Sequence, residues 1–194
     1  MGVPAMKLII LDRDGVINHD SPDFIKSPAE WQAIPGSLEA IARLNQAGYR
    51  VVVASNQSGI ARELFNMTSL NAIHQKMHTL AQQVGASVDA IFFCPHAATD
   101  NCDCRKPKPG MFHEIGQRYK TGLKGVPTVG DSLRDLQAGF NSGCAPYLVL
   151  TGKGAQTSAT GGLPPGTMTF SDLAAMVTHL LKTAAPTPHL GAHI

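Results

Sequence analysis

Asp12-Arg13-Asp14-Gly15-Val16 follows directly on the apolar run Leu8-Ile9-Ile10-Leu11, which places two carboxylates at the C-terminal end of a strand predicted to be buried. The carboxyl ends of parallel strands are where α/β sheets carry out chemistry. Strand side chains alternate faces, so Asp12 and Asp14 are expected on one side of the strand. Two carboxylates in one crevice can divide the work, one attacking and the other moving a proton. A calcium loop also opens with Asp-x-Asp. It requires Asp or Asn at its fifth position and Gly at its sixth, where this chain has Val16 and Ile17. A solvated turn closing a strand fits these residues as well, and the rest of the chain decides between the two.

Later strand ends supply what a phosphate would need. The second finishes in Ser55-Asn56-Gln57-Ser58-Gly59, whose hydroxyl, amide and main-chain N–H groups can bind phosphate oxygens; a helix cap is the alternative for Ser55. After the third come Cys94, His96, Cys102 and Cys104, three thiols and an imidazole within eleven residues. This set matches a Cys3His zinc site, and four protein ligands leave no open position, so the expected role is structural. Free thiols, or a redox pair of Cys102 and Cys104, are the alternatives. Cys144 stands alone and reads as a small core residue. Arg105 and Lys106 follow the zinc loop directly and would carry fixed positive charge toward the crevice. The fourth strand ends in Gly130-Asp131-Ser132-Leu133-Arg134-Asp135. Asp131 with Asp12 is enough to hold an octahedral Mg2+, while Asp135 reads as a cap of the next helix. His74 and His78 lie four apart on a helix without the Glu of a zinc-protease motif, so a surface or helix-flank position is expected.

These residues need elements to hold them. Apolar runs at 7–11, 51–55, 90–94, 127–130 and 147–150 alternate with helical segments, the pattern of a parallel sheet flanked by helices. The helices are marked by Leu38, Ile41, Ala42 and Leu44 after a Ser37 cap; by Leu70, Ile73, Met77, Leu80, Ala81 and Val84; by Met111, Phe112 and Ile115; by Leu136 and Phe140; and by Leu173, Met176, Val177 and Leu180. All are expected to pack on the sheet. Segments 18–34 and 152–170 have no convincing period and read as loops, the first near the mouth of the site and the second a surface excursion.

With 194 residues, 43% hydrophobic and 15% charged, the chain reads as one globular domain with its core over about 7–182 and a frayed tail after about 184. A formal charge of +2 and no run of five basic residues give no case for nucleic acid or an anionic membrane. No apolar run is long enough for a membrane span and no signal-peptide pattern opens the chain, so a cytoplasmic protein is expected; residues before Met6 read as a short leader or a vector remnant.

Taken in order, Asp12-Arg13-Asp14-Gly15, Ser55, Lys106, and Gly130-Asp131 with Asp135 resemble the four motifs of the haloacid dehalogenase superfamily of aspartyl-phosphate phosphohydrolases, over about residues 7–150. The resemblance implies an α/β fold with a doubly wound, mainly parallel sheet and helices on both faces. It also implies Asp12 as nucleophile, Asp14 as general acid/base, and Ser55 and Lys106 as phosphoryl ligands, with Mg2+ on Asp12, the main-chain carbonyl of Asp14, and Asp131. No long insertion follows Gly15 or separates the second and third strands, so no large cap domain is expected.

Within the superfamily, the zinc loop and Cys104-Arg105-Lys106-Pro107 resemble two groups, the heptose-1,7-bisphosphate 7-phosphatases and the histidinol-phosphate phosphatases. Residues 55–62, Pro109-Gly110-Met111 and Gly130-Asp131-Ser132-Leu133-Arg134-Asp135 resemble the heptose enzymes. The five-residue spacer between His96 and Cys102 also occurs in the histidinol group, and Ser132 stands where some heptose enzymes place a Lys near substrate. The implied partner is a small phosphorylated sugar, acted on by a monomer with Arg105 on the second phosphate and Asn56, Gln57 and Ser132 as further contacts. Histidinol phosphate hydrolysis is the rival reaction. A non-catalytic zinc module binding a phosphorylated ligand is the rival of another class, disfavoured because Asp12 and Asp14 are both present. Polynucleotide 3′-phosphatases share Asp-x-Asp-Gly, but the near-neutral charge argues against them.

Overall fold

Six parallel strands in the order β3-β2-β1-β4-β5-β6 form the sheet. They are β1 (Lys7–Leu11), β2 (Tyr49–Asn56), β3 (Ala90–Cys94), β4 (Pro127–Gly130), β5 (Ala145–Val149) and β6 (Met168–Phe170). A computed structural model describes residues 6–184; the leader and tail expected from the sequence lie outside the described residues. The helices are α1 (Ser37–Gln46), α2 (Met67–Gln83), α3 (Gly110–Tyr119), α4 (Leu133–Asn141), α5 (Gly154–Thr160) and α6 (Leu173–Ala184).

The alternation along β1 shows how the layers form. Ile9 and Leu11 join Val51 and Val53 of β2 in a core covered by α1, α2 and α6. Leu8 and Ile10 join Val52 and Ala54 in a second core, closed by Met111, Phe112 and Ile115 of α3 and Ala138 of α4. Strands buried on both faces read as continuous apolar runs, which is how β1 and β2 look in the sequence. From β1 the chain winds outward to β2 and β3, then returns across the sheet to β4 on the other side of β1. That reversal leaves a crevice at the carboxyl ends of β1, β2 and β4, where parallel sheets bind ligands.

Four local expectations are corrected. Segment 152–170 is not one loop but contains α5 and β6. Among α5 residues only Gly154 is buried, and β6 is a three-residue outer strand, so neither carries an apolar period to read. Ser37 does not cap α1: Gly36 does so in the left-handed region, and Ser37 lies buried inside the helix donating to the Val16 carbonyl at 3.0 Å. Phe140 of α4 is 41% exposed instead of packing on the sheet. The fifth strand is Ala145–Val149, a shift toward the N-terminus from the run at 147–150.

Candidate active site

β1 ends at Leu11, and Asp12 N–H still donates to Val129 O of β4 at 2.9 Å, which fixes the first carboxylate between β1 and β4. The chain then turns. Gly15 has φ +82°, and a Cβ there would overlap the Asp131 carboxylate, so only glycine fits. The Gly15 N–H donates to Asn18 O at 2.7 Å. Asp12 and Asp14 thus face one cavity, as expected, but through a turn and not through strand alternation.

Lys106 is the hub. Its side chain is 2% exposed, and the ammonium lies 2.9 Å from Asp12 Oδ1, 2.6 Å from Asp135 Oδ1 and 2.7 Å from the Ala54 carbonyl to which it donates. Burial works against a charged lysine, but Asp12 and Asp135 outweigh it and raise the Lys106 pKa. The residue is held from behind by Asn56, whose Nδ2 donates to Lys106 O at 3.0 Å and whose Oδ1 accepts from Lys106 N–H at 3.1 Å. Asn56 therefore ties the end of β2 to the lysine segment, besides lining the cavity. Ser55 is 1% exposed at the same strand end, and its hydroxyl accepts from Gln57 Nε2 at 2.8 Å.

Asp14 has a different environment. It accepts from Asn18 Nδ2 at 2.8 Å, Gln57 Nε2 at 2.9 Å, and Arg13 Nε and Nη2 at 3.0–3.1 Å. Burial alone would raise its pKa. The charge of Arg13 and these donors reverse that, holding the carboxyl below its ordinary value. Arg13 is itself fully buried, and its Nη1 lies 3.4 Å from His74 Nε2. His74 is therefore not at the surface: burial and the Arg13 charge push its pKa down to about 4, which keeps the ring neutral.

Asp12, Asp131 and Asp135 place carboxylate oxygens within 4.8 Å of one another. Burial and the charge of Asp135 raise Asp12 to about 6; burial with Asp12 and Asp135 raises Asp131 to about 7. The buried Oδ1 atoms of Asp12 and Asp135 face Lys106 as ion pairs without accepting a well-formed hydrogen bond. Hard oxygen donors, mutual repulsion and spare buried lone pairs are what a divalent cation would satisfy. The structure adds Asp135 to Asp12 and Asp131 as a carboxylate that could hold a cation; it also accepts from Ser132 Oγ and N–H as the expected helix cap.

The cavity has a volume of ≈220 Å³. Segment 18–34 supplies Asp20, Ser21, Pro22, Phe24 and Ile25 to its wall, in keeping with a place at the mouth. Cations stand around it: Arg62, 5.7 Å from the Phe24 ring centroid; Arg105, donating to His96 O at 3.2 Å; Arg134; and Lys153, 2.7 Å from Asp20. Ser132 is buried with its hydroxyl spent on Asp135, and it does not line the cavity.

Cys94, His96, Cys102 and Cys104 converge beside this cavity, with five ligand-atom separations of 3.2–3.6 Å. A tetrahedron with Zn–S bonds of about 2.3 Å has edges of about 3.8 Å, so the four groups fit zinc with little adjustment.

Sequence reasoning assigned no role to Arg13 and Asn18, which bond Asp14, and placed His74, which meets Arg13, on the surface or helix flank. An arginine between two aspartates reads as solvated charge, and a histidine on an amphipathic helix reads as flank. Arg13 and Asn18 reach Asp14 within the turn after β1, and the packing of α2 against that turn adds His74.

Residues 7–133 match the family model described as polynucleotide kinase 3 phosphatase, and residues 103–176 match the HAD-hydrolase-like model. A D-glycero-beta-D-manno-heptose-1,7-bisphosphate 7-phosphatase from Bordetella bronchiseptica is 62% identical over 92% of this chain and all of its own length. The enzyme of that name from Pseudomonas aeruginosa is 53% identical over 92% of this chain and 99% of its own. The crystal structure of the D,D-heptose 1,7-bisphosphate phosphatase from B. bronchiseptica, complexed with magnesium and phosphate, superposes with a TM-score of 0.91 at 62% identity, covering 92% of this chain and 100% of that one. A structure of the Burkholderia thailandensis enzyme, 54% identical, covers 90% of this chain and 98% of its own with a TM-score of 0.73. Fold, site and full-length similarity agree, and the chain belongs to the haloacid dehalogenase-like phosphohydrolases, in the family of the heptose-1,7-bisphosphate 7-phosphatases.

Proposed function

We propose that this protein is a Mg2+-dependent phosphomonoesterase that removes the 7-phosphate from D-glycero-β-D-manno-heptose 1,7-bisphosphate, on a route to heptose-containing surface glycans. The observation that carries the substrate assignment is 62% identity across the whole length of a relative bearing that name. The cavity fits it: about 220 Å³, acidic at the floor, cationic at the rim.

Asp12 is the nucleophile, attacking phosphorus to form an aspartyl phosphate. Lys106 and Ser55 hold the phosphoryl oxygens, and Lys106 also keeps the buried Asp12 ionised at neutral pH. Asp14 serves as base for the water that cleaves this intermediate; its ionised state before reaction suits that step. To protonate the leaving sugar oxygen first, Asp14 must gain a proton against the Arg13 charge, and a phosphate dianion arriving beside it favours that uptake. Asp12, Asp131 and Asp135, with the main-chain carbonyl of Asp14, would hold Mg2+, which when bound offsets charge on the phosphoryl oxygens. Arg105, carried on the zinc loop, is the candidate for the second phosphate, with Gln57 and Asn56 shaping the wall between. Zinc on Cys94, His96, Cys102 and Cys104 is structural, and the protein acts as a cytoplasmic monomer.

The test is phosphate release, with Mg2+ and with EDTA, from heptose 1,7-bisphosphate, histidinol phosphate and a 3′-phosphorylated oligonucleotide. A large heptose preference abolished by EDTA is expected. Preference for either other substrate would move the protein to that reaction with the same chemistry.

A further inference from the structure

Two of the three clustered carboxylates, Asp12 and Asp135, are held by Lys106. Asp131 is held by a different part of the chain, the turn after β5 at Thr151-Gly152-Lys153 and the helix α5 that follows it. Lys153 N–H donates to Asp131 Oδ2 at 2.8 Å, and the Thr157 hydroxyl donates to the Asp131 main-chain carbonyl, also at 2.8 Å. The same turn reaches the segment after β1, where Thr151 Oγ1 donates to Gly15 O at 2.6 Å. Gly152 sits at φ +56°, and a Cβ there would overlap both the Asp131 carboxylate and Gly15 Cα.

The Thr157 bond is unlike those of other helical threonines here. Thr79, Thr160 and Thr178 each donate to the carbonyl four residues back in their own helix, the usual outlet for such a hydroxyl. Thr157 donates instead to a residue 26 positions away. Since α5 buries only Gly154, no apolar stripe explains why it sits where it does. What holds it are the close approach of Gly154 to Val149 O and the Thr157 bond to Asp131.

We propose that Thr157 is a positioning residue for the divalent cation, the far end of a clamp that fixes Asp131 by its main chain and by one carboxylate oxygen. Asp131 is repelled by Asp12 and Asp135, so without the clamp its side chain would rotate away whenever the cation leaves. Held in place, it is already arranged for the cation's return, and the ordering cost is removed from binding. The inference rests on the cation reading of Asp12, Asp131 and Asp135 given above.

The test compares Thr157→Val, which keeps shape and loses the donor, with Thr157→Ser, which keeps it. Zinc-replete protein is freed of Mg2+ by gel filtration, and Mg2+ affinity is read by calorimetry and by Mg2+-dependent thermal shift. Thr157→Val is expected to weaken Mg2+ binding about tenfold or more. Its kcat at saturating Mg2+ should stay within a few-fold, and Thr157→Ser should bind within about twofold of wild type. Wild-type Mg2+ affinity in Thr157→Val overturns the proposal, whatever happens to its melting temperature. Gly152→Ala disturbs the clamp from its other side and should weaken Mg2+ at least as much; unchanged affinity there overturns the proposal even where Thr157→Val fails to fold. Absence of Mg2+ binding by the wild type would instead overturn the cation reading itself.

Discussion

At the residue scale, the site separates two carboxylates by environment. Asp12 lies among other carboxylates and one ammonium, while Asp14 is surrounded by donors, so burial raises the first and is overridden at the second. Replacing Asp12 with Asn is expected to lower phosphate release at least about 10³-fold, because the amide cannot attack phosphorus. Steady-state kinetics checks this, and retained turnover would exclude the covalent route. His74 gives a prediction about stability. With its folded pKa near 4 against an ordinary 6.5, the ring takes up a proton more readily in the unfolded chain. Its contribution is therefore complete above pH 6.5 and is lost as the pH falls toward 4, by up to about 3 kcal/mol. His74→Gln can still accept from Arg13 but does not titrate, so urea unfolding of that variant should depend less on pH across this window.

At the element scale, the loop between β3 and α3 carries the zinc ligands and then Arg105 and Lys106. The two cations are anchored differently. Lys106 is fixed by Asn56, Asp12 and Asp135, whereas Arg105 depends on its bond to His96 O within the zinc loop. Cys102→Ser should therefore release zinc and lower the melting temperature by several degrees. It should raise KM through Arg105 while leaving kcat within a few-fold. Metal analysis gives the first check: zinc near zero in wild-type protein purified without chelator would refute the site.

At the scale of the whole molecule, the sheet reverses its winding at β1, and the loop over 18–34, tied to α2, lines the resulting crevice. Trp31 of that loop is fully buried, and Lys76 of α2 donates to the Pro28 and Trp31 carbonyls at 2.7 and 2.8 Å. The same loop presents Phe24 and Ile25 to the cavity, so its attachment bears on substrate binding. Lys76→Met keeps the aliphatic stem but loses both bonds. A loss of about 2 kcal/mol in stability and a several-fold rise in KM with little change in kcat are expected, measured by denaturation and steady-state kinetics.

The sequence by itself determined the parallel α/β sheet, because strands buried on both faces leave unbroken apolar runs and helices leave a three-to-four period. It also set Asp12, Ser55 and Asp131 at or just past strand ends, which parallel strands bring to one edge, while Asp14 and Lys106 were drawn to that site by the resemblance of their motifs. The Cys and His spacing was legible because metal ligands in one loop need no tertiary partner. What only the tertiary structure decided were contacts between segments far apart in the chain. Asp135 became more than a helix cap because Lys106 arrives beside it, and His74 was buried because α2 packs against Arg13. The polar helix α5, silent in hydrophobic pattern, packs Gly154 on Val149 and bonds Asp131 through Thr157. Periodicity records which face of an element is apolar; it holds no record of which polar atoms meet across the fold.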